Sequence, residues 1–250
     1  MKRVKLTVAY DGTAYCGWQV QPNAVTVEGV LNEALTALLG QPITVIGASR
    51  TDSGVHAMGN VAVFDTDSKI PGDKFSYALN QRLPEDIRVQ ESSEVPLDFH
   101  PRKVTCRKTY QYRIVNAQFP NPMKRLYAHF TYYKLDVDKM QQAAQYLVGE
   151  HDFKSFCSIH TQVKETVRTI YSVEVTKEQE EVIITIQGNG FLYNMVRIIA
   201  GTLIQVGLGA KEPEEIEAIL QAKDRQIAGP TAPACGLALL QIDYEDLKIE

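Results

Sequence analysis

The chain has 250 residues, 44% of them hydrophobic, enough for one large core or two smaller ones. No run of about 18 apolar residues occurs, so no membrane span is expected, and MKRVKLTVAYDG enters alternation without the long apolar stretch of a signal peptide. Its 26 bases against 30 acids give a net charge of −4, which excludes a uniformly basic nucleic-acid binder but not a locally basic one.

In chain order, Lys2–Tyr10 alternates as a strand. Residues 25–39 carry a helical stripe at Val27, Val30, Leu31, Leu35 and Leu38. Residues 43–48 and 60–65 read as strands flanking a polar loop, 72–81 as a short helix and 87–94 as a strand, which makes β-α-β-β-α-β. The order then recurs. Residues 108–116 form a strand, and 136–148 a helix with Val137, Met140, Ala144 and Leu147 on one face. Residues 167–176 and 182–187 pair around KEQEE, 191–206 is a long apolar helix, and 213–221 is a helix with proline in its first turn. Leu237–Tyr244 closes the chain as a strand. The fold class expected is α+β, with two similar ferredoxin-like halves and mainly antiparallel sheets. The boundary falls near 96–107, giving halves of 1–104 and 105–250.

The four cysteines, Cys16, Cys106, Cys157 and Cys235, are widely spaced and form no CxxC pair. Neither a zinc site nor a redox motif is indicated, and a reducing cytoplasm is the expected compartment. The five histidines show no metal spacing, and His56 and His100 read as turn or core hydrogen-bonders. With no GxGxxG, no P-loop and no metal cluster, no cofactor and no metal are expected.

Residues 99–135 contain no Asp or Glu. They hold Arg102, Lys103, Arg107, Lys108, Arg113, Lys124, Arg125 and Lys134, interleaved with Tyr110, Tyr112, Tyr127, Tyr132 and Tyr133. A solvated basic strand is the plain reading. The aromatic interleaving points to nucleic acid instead.

One carboxylate stands apart. In GASRTDSGVHAMG, residues 47–59, Asp52 sits among Arg50, Thr51, Ser53, Gly54 and His56. Such residues also make ordinary turns. The D-S-G triplet of aspartic proteases needs a second copy to share a proton, and only one is present. A Ser-His-Asp arrangement fails because residues 52 and 53 would point to opposite faces of an extended chain, and no nucleophile elbow exists. A lone ionised carboxylate can still attack carbon or stabilise a cationic sugar, and the target that suits a basic aromatic segment is a glycosidic carbon on a nucleic acid.

GASRTDSGVHA closely resembles the G-R-T-D-x-G-V-H-A signature of the TruA family of tRNA pseudouridine synthases, with Ala48-Ser49 standing where many members have Gly or Ala-Gly. Other stretches agree in order along almost the whole chain: YDGTAYCGWQVQP at 10–22, DFH at 98–100, RKTYQYRI at 107–114, GEHDFKSF at 149–156, NGFLYNMVRIIAGTLIQVG at 189–207 and TAPACGLALLQIDY at 231–244. The resemblance implies two α+β halves whose sheets join across a central active-site cleft, a homodimer, and isomerisation of uridines 38 to 40 in the anticodon stem-loop of tRNA. It makes Asp52 the essential carboxylate, as nucleophile at C1′ or as base generating a glycal. It further implies that Arg50 helps hold the extruded nucleotide, Tyr110 stacks on the flipped base, Arg197 pairs with Asp52, and Leu237 packs against the base. By pattern alone Leu237 is equally an ordinary core leucine. A non-catalytic RNA-binding module and a hydrolase using Asp52 remain the competing classes.

Overall fold

Alternation in KRVKLTVAY makes strand β1, Lys2–Tyr10, with Val4, Leu6 and Val8 completely buried. The computed structural model describes residues 1–158 and 165–245 of the chain. They divide into two units. Unit 1 is Met1–Cys106 with the segment from Leu239 onward, and unit 2 is Arg107–Ala238.

In unit 1, β1 is followed by α1 (Val27–Leu39), β2 (Ile46–Gly47), β3 (His56–Thr66), α2 (Phe75–Asn80) and β4 (Ile87–Val95). The strand order is β4-β1-β3, with β10 (Leu237–Tyr244) beside β3. β1 pairs antiparallel with both neighbours, and β2 pairs antiparallel with β3. Thr26 caps α1 by accepting from the Gly29 N–H, and Val27, Leu31, Ala34 and Leu35 form its buried face. β3 does not alternate. Val61, Ala62, Val63 and Phe64 are all buried, because Phe64 meets Phe75 of α2 edge-on at 5.2 Å while Val63 packs with Val95 and Phe99.

Two expectations need correction here. Residues 43–48 are strand only over Ile46–Gly47. The reason is that α1 captures the preceding backbone: Ile43 N–H donates to Thr36 Oγ1 at 3.1 Å and Val45 N–H to Asn32 Oδ1 at 2.9 Å. Residues 72–81 open as a 3-10 turn over Gly72–Lys74 before α2 begins.

Unit 2 contains β5 (Cys106–Asn116, from Arg107), β6 (His129–Thr131), α3 (Val137–Gln145), β7 (Gly149–Asp152), β8 (Val167–Glu178), β9 (Glu181–Gly188), α4 (Met195–Gly207) and α5 (Glu215–Ala222). The order β5-β9-β8-β7 is antiparallel throughout, and the short β6 runs parallel to β5. Asp136 is the N-cap of α3 rather than part of it, accepting from the Lys139 N–H at 3.0 Å. The apolar helix expected over 191–206 begins only at Met195, because Asn194 adopts the left-handed conformation with φ 61°. Residues 191–193 are thereby released from the helix. Among the described residues no helix is long and apolar enough to cross a membrane.

Candidate active site

Residues 48–55 link β2 to β3 and carry Asp52. The link is a constrained turn. Val55 N–H donates to the Asp52 carbonyl at 3.1 Å, and Gly54 supplies the positive φ of 76° that such a turn needs. Asp52 is half-buried and Arg50, two residues earlier, is exposed.

The segment YDGTAYCGW, residues 10–18, holds this turn from outside its own sequence. Trp18 N–H donates to the Thr51 carbonyl at 3.1 Å, and Gly54 N–H to the Tyr15 carbonyl at 3.3 Å. Ser53 Oγ donates to the same Tyr15 carbonyl at 3.2 Å. Gly17 makes the approach possible. It sits at φ 85°, and a side-chain carbon there would lie 2.6 Å from the Thr51 carbonyl oxygen. Gly12 N–H donates to His56 Nδ1 at 3.1 Å, tying the start of β3 to the same segment. Tyr15 is itself anchored, its hydroxyl donating to Asp86 Oδ1 at 2.6 Å. Burial and that neighbouring carboxylate push the Tyr15 hydroxyl well above its usual range.

A second set of bonds comes from within the sheet. Asn60, completely buried in β3, donates from Nδ2 to the Ser49 carbonyl at 3.0 Å and to the Tyr10 hydroxyl at 3.3 Å. The Tyr10 hydroxyl lies 2.7 Å from Thr51 Oγ1. Tyr10, Trp18, Asn60 and Thr51 were not among the expected site residues. The signal available for them was the aromatic and glycine-rich 10–22 stretch, which alone does not reveal that it folds onto 51–54.

Unit 2 carries the other expected site residues. Tyr110 is buried in β5, opposite Ile186 of β9, with its ring edge-on to Phe191 at 5.1 Å. The late start of α4 is what places Phe191 there. Arg197, in the first turn of α4, donates from Nε to the Ala232 carbonyl at 2.7 Å and from Nη1 to Asn194 Oδ1 at 3.0 Å. Its own carbonyl accepts the Ala232 N–H at 3.1 Å. Arg197 therefore binds the 231–235 segment at Ala232; the Tyr112 hydroxyl also fastens it at the Pro233 carbonyl, 2.9 Å, and Arg225 Nη2 at Thr231 Oγ1, 3.2 Å. Leu237 follows that segment as the first residue of β10 and is buried. Arg50 and Asp52 share one loop of unit 1, whereas Tyr110, Arg197 and Leu237 belong to unit 2.

The acid-free window 99–135 is less positive in the fold than in the sequence. Glu181 of β9 accepts from Arg113 Nη1 at 3.0 Å and lies 2.5 Å from Lys124 Nζ. Lys124 first, with Arg113, holds that carboxyl below its ordinary range. The Arg107 guanidinium lies over the Tyr171 ring, 4.9 Å from its centroid. Arg102, Lys103, Arg125 and Lys134 are exposed. Among the described residues no group of three His, Cys, Asp or Glu is placed to hold a metal ion.

Residues 6–102 and 143–245 match the family model described as tRNA pseudouridine synthase. The chain is 53% identical to tRNA pseudouridine synthase A of Ruminiclostridium cellulolyticum over 98% of its own length and 100% of that protein. It is 50% identical to the proteins of the same name from Brevibacillus brevis and Acetivibrio thermocellus, again over 98% of this chain and 100% of each of them. A chain from a solved Cbf5-Nop10-Gar1 complex aligns at 12% identity and a TM-score of 0.36, covering 96% of this chain and 50% of that one.

Proposed function

The chain belongs to the tRNA pseudouridine synthase family, a family of isomerases, and from that premise we propose that Asp52 is the carboxylate at which it isomerises uridine in tRNA. The reaction breaks the N1–C1′ bond, turns the base, and joins C5 to C1′. C5 loses a proton, N1 gains one, and nothing is oxidised or reduced. Attack on C1′ and removal of a sugar proton both require one ionised carboxylate held in a fixed place. The observation that carries this reading is the turn at Asp52, fastened by hydrogen bonds from residues 12–18 and from Asn60 and Tyr10.

The other roles follow the family resemblance. Tyr110 stacks on a uracil extruded from the helix, and stacking of about 1–3 kcal/mol offsets much of an unstacking cost of a few kcal/mol. Arg50 holds the extruded nucleotide, Arg197 is the partner of Asp52, and Leu237 packs against the base. The targets are uridines 38 to 40 of the anticodon stem-loop, the active form is a homodimer in which each tRNA touches both copies, and the site of action is the cytoplasm. Dimerisation suits the substrate, since an A-form arm is recognised over a length that one 250-residue chain spans poorly.

The test is to map pseudouridine in unmodified tRNA after incubation with the pure protein and with Asp52→Asn. Product at the anticodon arm is expected from the first and none from the second, with tRNA affinity of the variant nearly unchanged because phosphate contacts carry it. Appreciable turnover by Asp52→Asn removes the assignment of Asp52. Release of free uracil indicates a hydrolase, and tight binding without product indicates a non-catalytic module. A monomeric mass by light scattering, with full activity, defeats the dimer.

A further inference from the structure

We propose that Tyr10 and Asn60 are positioning residues for the reaction at Asp52, acting through Thr51. The inference rests on the reading of Asp52 given above. Its evidence is a buried polar chain that runs from Asn60 through Tyr10 to Thr51. Asn60 Oδ1 accepts the Val61 N–H at 2.9 Å, so its Nδ2 is the atom facing the Ser49 carbonyl at 3.0 Å and the Tyr10 oxygen at 3.3 Å. The Tyr10 oxygen therefore receives a hydrogen from Asn60 and shares a second hydrogen bond with Thr51 Oγ1, 2.7 Å away.

All three side chains are inside the protein: Asn60 is 0%, Tyr10 4% and Thr51 7% exposed. Buried polar groups of this kind are costly unless paired, so the three side chains hold one another in place. Thr51 immediately precedes Asp52, and its carbonyl is also held by the Trp18 N–H. Side chain and carbonyl of Thr51 are thus fixed by two different elements, which orients the peptide leading into Asp52. The β1 ladder is irregular between Val8 and Tyr10, opposite Asn60 and Ala57. Irregularities of this kind are frequent beside active sites, and this one lies where Tyr10 and Asn60 meet the loop.

A merely structural role for these residues predicts lower melting temperature with unchanged turnover per folded molecule. A positioning role predicts a loss of kcat well below the melting temperature, with KM for tRNA unmoved. Tyr10→Phe, Asn60→Leu and Thr51→Val are each expected to lower kcat about tenfold or more, since small misplacements of a reacting group cost up to about a hundredfold. The double variant Tyr10→Phe with Thr51→Val should lose no more than the larger of the two single losses, because both break the same bond. Thr51→Ser should recover most of the kcat lost in Thr51→Val. Assaying Asp52→Asn alongside keeps the two claims separate. If Asp52→Asn is inactive while Tyr10→Phe and Thr51→Val keep full kcat, the positioning role is overturned and the assignment of Asp52 stands. If Asp52→Asn is active, the reading of the site itself fails. Multiplicative losses in the double variant, or an equal loss in Thr51→Ser and Thr51→Val, also overturn the inference.

Discussion

Replacing Gly17 with alanine tests whether the 10–18 segment truly sets the geometry of the Asp52 turn. Two costs add at this position. Gly17 has φ 85°, a conformation that costs an L-residue about 1–2 kcal/mol. The new methyl would also lie 2.6 Å from the Thr51 carbonyl oxygen, 3.1 Å from the Asp52 carbonyl carbon and 3.2 Å from the Ser53 nitrogen. All three are main-chain atoms, so no side chain can rotate out of the way, and overpacking of this kind costs about 1–3 kcal/mol. The expected loss is about 2–5 kcal/mol, or roughly 4–20 °C in melting temperature for a chain of this size. Gly40→Ala is the matched control, because Gly40 also sits in the left-handed region, at φ 70°, with nothing within 4 Å of the added carbon. It should lose only the conformational part, about 1–2 kcal/mol, and keep its turnover. Because the backbone that yields in Gly17→Ala is that of Thr51–Ser53, its kcat should fall much further than its stability implies. Thermal unfolding and single-turnover pseudouridine formation measure both quantities. Equal stability and equal turnover in the two variants would refute the clamp.

Ser49 Oγ is buried without a hydrogen-bond partner among the described residues, so Ser49→Ala should be neutral or stabilising by about 1 kcal/mol; a clear loss in denaturant unfolding would mean the hydroxyl is satisfied. Arg3 meets Asp65 through two 2.7 Å bonds and holds that carboxyl below its ordinary range. The lowered value means that this stabilisation is present above the unfolded carboxyl pKa of about 4 and fades as pH falls through the folded one. Stability of the wild type should therefore drop more steeply than that of Asp65→Asn below about pH 4, by no more than about 1 kcal/mol because the pair is partly solvated; parallel acid-unfolding curves would contradict it. Glu181→Gln should free Lys124 and Arg113, tightening tRNA binding and steepening the slope of log K against log salt by about one to two. An unchanged slope would show that neither cation faces the phosphate track.

Periodicity, caps and the isolation of one acid are local properties, and the sequence displays them. The alternation of 2–10, the stripe of 27–38 and the strand pair around KEQEE each reappear as β1, α1 and the β8–β9 hairpin. Asp52 stands out for the same reason, as one carboxylate between two apolar stretches, and the segment matches along the chain point to the family from sequence alone. What the sequence alone left undecided involves partners distant along the chain. Residues 43–45 have the composition of a strand, yet α1 side chains take their N–H groups first. The apolar run from Phe191 looks helical throughout until Asn194 turns left-handed. The cations of 99–135 look unopposed until Glu181 arrives from β9. The end of β10 settles in unit 1 because Tyr244 meets the Phe99 ring at 5.1 Å and donates to the Pro101 carbonyl at 3.0 Å, partners more than 140 residues back in the chain. Tyr10 and Thr51 are 41 residues apart and meet only because β1 and β3 pair with an irregular register. A propensity or a turn depends on a residue and its near neighbours. A hydrogen bond between buried groups depends on which strands lie side by side, and only the folded chain decides that.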